Sequence, residues 1–191
     1  MTRRPRYRWM LRAALLAAFI GGAGVALDGL WMPAKAALGQ ALLATTWTTG
    51  AAEPWPGADM KAIARLSVPS LDQTAYVLDS ASGKAMAWGP GHVPGTPLPG
   101  DPGLSAIGGH RDSHLSFLGE TKPGDRILVE RPAIGQQGFT VTHAEVVDSR
   151  TWRYPVDHDG PPRLALTTCW PLDAQTQGPM RLVIYAQAFT E

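Results

Sequence analysis

One cysteine, Cys169, is the entire thiol complement of the 191-residue chain, which excludes an intramolecular disulfide and a cysteine-built zinc cluster. A buried packing role, an intermolecular link or thiol chemistry is what remains for it. Charge is also scarce, at 17% of residues, and unevenly spread. Arg3, Arg4, Arg6, Arg8 and Arg12 all precede the first acidic residue, Asp28, whereas from Met60 to Glu191 eleven Lys/Arg stand against thirteen Asp/Glu. That balance leaves no basic stripe to track phosphates, so nucleic acid is not an expected partner. His92, His114, His143 and His158 are scattered among Pro/Gly turns and polar strand faces, without carboxylates at metal-ligand spacing. They are read as surface or turn residues rather than metal ligands. No internal repeat is present, and helical patterning is confined to the N-terminal quarter.

What the chain has in quantity is glycine and proline, 21 and 17 residues, a mix that favours a loop-rich β domain. Ahead of it, the uncharged run Ala13–Leu27 comes after the arginines and is flanked by Trp9 and Trp31. With Met10, Leu11 and Leu30 it reaches roughly 20 residues, the length of a transmembrane helix, with the arginines on the cytoplasmic side. The competing reading is a cleaved signal peptide ending near Ala34-Lys35-Ala36. Either one exports the β domain. The expected organisation is a basic tail and anchor over 1–31, a juxtamembrane helix and linker over 32–59, and a β domain over 60–191. Leu38, Leu42 and Leu43 give helical spacing to Ala34–Trp47, as a spacer or as a helix packed on the domain. Pro54-Trp55-Pro56-Gly57 breaks that pattern.

Beyond the linker, short apolar runs separated by turn residues predict an all-β barrel or sandwich. Strands are expected at 62–68, 75–78, 105–109, 126–130, 138–148, 163–168 and 182–189. A helical turn is expected at Ser113–Leu118 with Leu115, Phe117 and Leu118 inward, and Ser82-Gly83-Lys84 reads as a hairpin turn.

Three signals carry chemistry. Leu164-Ala165-Leu166-Thr167-Thr168-Cys169 is an apolar strand ending in two threonines and the cysteine, stopped by Pro171, which fixes the backbone of a thiol facing a cleft. Ala106-Ile107-Gly108-Gly109-His110-Arg111-Asp112 runs from a strand through two glycines, which allow close approach of a substrate backbone, to a histidine able to act as acid or base. Asp112 either orients His110 or caps the adjoining turn. Arg181 opens the last strand after the segment Pro171–Met180, which carries Gln175, Gln177 and Gly178 and reads as a gating loop or a plain connector. If the last two strands pair, Arg181 comes close to Cys169, where a permanent cation favours thiolate and a developing oxyanion.

Together, Leu166-Thr167-Thr168-Cys169, the upstream Gly-Gly-His-Arg-Asp turn and an arginine twelve residues after the cysteine resemble the sortase signature. The Gly-His-Arg-Asp form is most similar to the Gram-negative subgroup. One position departs from the family's Thr-Leu-x-Thr-Cys motif, Ala165 standing at its first threonine. The resemblance implies a mainly β, sortase-like closed barrel of about eight strands with short helices, preceded by an N-terminal transmembrane helix. It implies a membrane-anchored cysteine transpeptidase, of thiol-protease type, that cleaves an LPxTG-like sorting signal and transfers the acyl group to an amine. Cys169 is then the nucleophile, His110 the acid/base and Arg181 the oxyanion stabiliser, with Thr168, Thr167 and Gly109 lining the substrate site, and no metal or organic cofactor is needed. The implied partners are an exported protein with a C-terminal sorting signal, an amine acceptor and membrane lipid, with the domain on the extracytoplasmic side of the inner membrane. Two other readings stand beside it: an L,D-type transpeptidase, against which Trp170-Pro171 occupies the position of that family's arginine, and a non-catalytic envelope binding domain with a structural cysteine.

Overall fold

The computed structural model describes residues 5–50, 53–155, 157–174 and 176–189, with the side chains of residues 5, 6, 23–30 and 32 outside the description. Arg3, Arg4, the Arg6 side chain and Gln175 therefore lie outside the described residues. The chain divides into two compact units, Met1–Lys35 and Ala36–Glu191, and helix α1, Pro5–Thr49, belongs to both, with Pro33 inside it.

In the first unit α1 exposes Tyr7, Trp9, Leu11, Leu15, Leu16, Phe19 and Ile20. Among the described residues no helix is long and apolar enough to cross a membrane. The transmembrane helix expected there is thus unsupported, and much of it falls on residues 23–30, whose side chains lie outside the description.

In the second unit the remainder of α1 packs on the barrel. Leu43 is fully buried with Met60, Leu78 and Ala85, and Trp55 and Trp88 pack against that cluster. Gly39 admits Trp88 so closely that a Cβ there would lie 2.7 Å from its carbonyl oxygen. The Gln40 amide acts as a one-residue strand. Its Oε1 accepts from Tyr76 N at 2.7 Å, while its Nε2 donates to Tyr76 O at 3.3 Å and to Trp88 O at 3.1 Å. These bonds satisfy backbone groups that strand pairing leaves open.

Eight strands close into a barrel: β1 (Ala62–Val68), β2 (Gln73–Leu78), β3 (Gly91–His92), β4 (Leu104–Gly108), β5 (Arg126–Arg131), β6 (Gly135–Asp148), β7 (Arg163–Cys169) and β8 (Met180–Ala188). The order around it is β1-β2-β3-β4-β7-β8-β6-β5. Only β2–β3 and β4–β7 run parallel. The barrel interior is filled by alternate residues such as Leu66, Ile107, Phe139, Leu164, Leu166 and Ile184, the period of two that strands impose. A second layer lies outside β4, β7 and β8, where Leu104, Ala106, Ala165 and Val183 are covered by Trp152 and Tyr154. Strand β7 is therefore covered on both faces, which is why its sequence reads as an almost unbroken apolar run.

The expected strands are present, β1 with the expected ends and the other six with shifted ones. The two-residue β3 carries no pattern of its own and was not expected. Ser82-Gly83-Lys84, read as a hairpin turn, instead opens the short helix α2 (Gly83–Met86), because Ser82 Oγ caps it by accepting from Ala85 N at 3.2 Å. The helical turn expected at 113–118 is a 3₁₀ turn at Ser116–Gly119, with Leu115, Phe117 and Leu118 buried.

Candidate active site

Strand register builds the site. In the antiparallel pair β7–β8, Cys169 is the direct partner of Arg181, and residues so paired lie on one face with Cβ atoms about 5 Å apart. Thr167, Ala165 and Arg163 lie on that same outer face by alternation, leaving Leu164 and Leu166 inside. On the other side, parallel pairing sets Gly108 beside Thr167. The next residue is sewn on: Gly109 N donates to Thr167 O at 3.0 Å, and Thr168 Oγ1 donates to Gly109 O at 2.9 Å. His110 therefore leaves β4 alongside the strand end that carries Cys169. Register thus pairs Cys169 with Arg181, and the bonds of Gly109 hold the turn that carries His110 beside the end of β7.

Cys169 is half-buried and a free thiol, and His110 and Arg181 are also half-buried. The guanidinium of Arg181 is steadied by its own approach segment, Nη1 donating to Gly178 O at 2.7 Å and to Met180 O at 2.8 Å. Among the described residues no carboxylate is ion-paired with it. Its charge is thus not neutralised locally, as stabilisation of an oxyanion requires.

The three residues named for substrate contact differ in surroundings. Thr168 is buried and spends its hydroxyl on Gly109. Thr167 Oγ1 is buried on the face shared with Cys169, with the Tyr154 phenol as its polar neighbour. Gly109 makes room for Leu115, since a Cβ there would lie 2.8 Å from Leu115 Cγ.

Sequence reasoning missed three neighbours. His114, read as a surface or turn residue, has its Nε2 buried without a partner. Burial lowers its pKa to about 4, helped by the charge of His110 and opposed by Asp112. The spacing of four from His110 was the available signal. Tyr154 stacks edge-on against Trp152 at 4.7 Å. Burial pushes its phenol up, offset by the Thr167 hydroxyl and the Arg181 cation, so a neutral phenol stands beside the site. Arg111 reaches the connection between β7 and β8; nothing in its sequence neighbourhood marks that contact.

A barrel with a cysteine, a histidine and an arginine so arranged matches a known family. The sortase domain model covers residues 66–189, and the chain belongs to the sortase family. Among curated relatives, sortase D of Bacillus subtilis (strain 168) is 23% identical over 125 residues, 65% of this chain and 63% of that protein. The match thus spans less than two-thirds of that relative's length. Among solved structures, a lid mutant of sortase A from Corynebacterium diphtheriae superposes with a TM-score of 0.63 at 22% identity, covering 71% of this chain and 74% of that one. Sortase C1 of Streptococcus agalactiae gives 0.61 at 20% identity, covering 68% of each chain. At such identities these structural likenesses speak for the fold.

Proposed function

We propose that this chain is a cysteine transpeptidase that cleaves an LPxTG-like sorting signal in an exported protein and passes the acyl group to an amine. The observation that carries the reading is the register at the end of β7, where Cys169 lies opposite Arg181 while parallel β4 brings His110 alongside.

In the first half-reaction the Cys169 thiolate attacks the threonyl carbonyl, and the carbonyl π electrons move to oxygen, where Arg181 offers its charge. The C–N bond then breaks as the His110 imidazolium gives its proton to the departing amine, leaving a thioester and a neutral imidazole. In the second half-reaction an amine attacks the thioester, His110 takes a proton from the incoming nitrogen, and the thiolate leaves. Water in place of the amine makes the same machinery a thiol protease. The Gly109-His110-Arg111-Asp112 form supports assignment to the Gram-negative subgroup.

The proposal extends to location: attachment to the inner membrane through the N-terminal segment, with the barrel on the extracytoplasmic side. It rests on the leading arginines and on the apolar side chains α1 exposes. Retention in the membrane pellet after alkaline carbonate extraction fits it, and release into the supernatant overturns it.

The deciding experiment incubates the full chain with a quenched library of LPxTG-like peptides, with and without an amine acceptor, beside Cys169→Ala. Mass spectrometry is expected to find an adduct on Cys169 that resolves to an amide product, and none on the variant. Absence of any adduct, with a thiol that resists alkylation until unfolding, rejects the enzyme reading in favour of an envelope binding domain.

A further inference from the structure

Three backbone carbonyls of the connection between β7 and β8 turn toward one guanidinium. Arg111 Nη1 donates to Pro171 O at 3.0 Å, and Nη2 donates to Thr176 O at 3.1 Å and to Ala174 O. Carbonyls in such a connection need partners. A planar five-donor fork gathers several in one plane, which the point charge of a lysine does not. The later part of the same connection is held by Arg181 through Gly178 O and Met180 O. Leu172 packs so closely on the 116–119 turn that a Cβ on Gly119 would lie 2.2 Å from its Cδ1.

Where these bonds fall matters more than their number. His110 stands between two cross-ties. On one side Gly109 is bound to Thr167 and Thr168, just before Cys169. On the other, Arg111 is bound to Pro171, two residues after Cys169. The ties bracket the imidazole and the thiol from both ends, so neither backbone can shift without breaking one. The spacing of reacting groups is where small displacements cost most in rate.

We propose that Arg111 is a positioning residue, which fixes His110 and Cys169 relative to each other by fastening the β7–β8 connection to the histidine turn. It touches no substrate. The inference rests on the transpeptidase reading, because it presumes that the histidine and the thiol act as a pair. A purely structural Arg111 would stabilise the fold to the same extent but would be indifferent to His110.

The test measures alkylation of Cys169 by iodoacetamide across a range of pH in the full chain, in a cycle of wild type, Arg111→Ala, His110→Ala and the double variant. With His110 present, Arg111→Ala is expected to slow alkylation near neutral pH by about tenfold; in the His110→Ala background the same change is expected to slow it by less than about twofold. Equal losses in the two backgrounds, or no loss with His110 present, overturn the inference. If Arg111→Ala does not melt cooperatively, Arg111→Lys carries the same cycle, with an expected loss of about threefold because charge is kept and the fork is not. A reactive thiol that ignores Arg111 refutes this inference alone. A wild-type thiol that iodoacetamide does not reach in the folded chain refutes the transpeptidase reading with it.

Discussion

Acidification is expected to weaken this fold through His114. The ring has a buried Nε2 without a partner, and its pKa falls from 6.5 to about 4, burial being the first cause and the charge of His110 the second, against a smaller opposing pull from Asp112. In the unfolded chain the ring takes its proton near 6.5, whereas in the folded chain it does so only near 4. Between those values the unfolded state binds more protons, so stability rises with pH there. Stability is therefore complete above 6.5, is lost as the pH falls toward 4, and loses nothing further to this group below that. At about 1.4 kcal/mol per pH unit the window amounts to about 3 kcal/mol, which partial exposure of the ring reduces to about 2 kcal/mol. The assay is urea unfolding of wild type and His114→Gln from about pH 7 down to about pH 4.5. Carboxylates away from the ring titrate in both proteins and cancel. The variant is expected to gain about 2 kcal/mol on wild type over that interval. A difference between the two proteins that stays constant with pH would refute the argument.

Other expectations concern packing around the site. Leu43→Ala, at a fully buried position, is expected to cost about 2–5 kcal/mol in chemical unfolding, and a chain begun at Met60 is expected to lose at least as much. Thr168→Val removes the hydroxyl that holds Gly109 O. A loss of about 1–3 kcal/mol is expected in thermal or urea unfolding, with slower alkylation of Cys169 as His110 is released; unchanged stability would show that the tie carries no energy.

Element type was legible where one rule acted alone. Strand β1, with its inward alternation of Ala64, Leu66 and Val68, and the buried strand β7 are consequences of period and turn chemistry, and the barrel's strand content came with them. Two-residue β3 did not, because it exists only where β2 and β4 pass near enough to pair with it. The hairpin reading at Ser82 failed for a local reason: serine before a short helix former is a cap as readily as a turn. A histidine on a glycine turn, a cysteine at a strand end and an arginine opening the next strand are chemically marked residue types, and so were visible. His114 was not, because a histidine's neutrality depends on what buries it.

By itself the sequence determined residue chemistry: which side chains could attack, transfer a proton or hold a negative charge, and the period of two that makes a β barrel. It also set the charge asymmetry that puts the arginines at one end. Only the tertiary structure decided proximity. Cys169 meets Arg181 because β7 and β8 pair antiparallel in that register, and His110 joins them because β4 runs parallel to β7. Arg111 reaches carbonyls sixty or more residues away. Contacts of that range are set by strand order and register, which depend on the whole barrel closing, so no local window of residues encodes them.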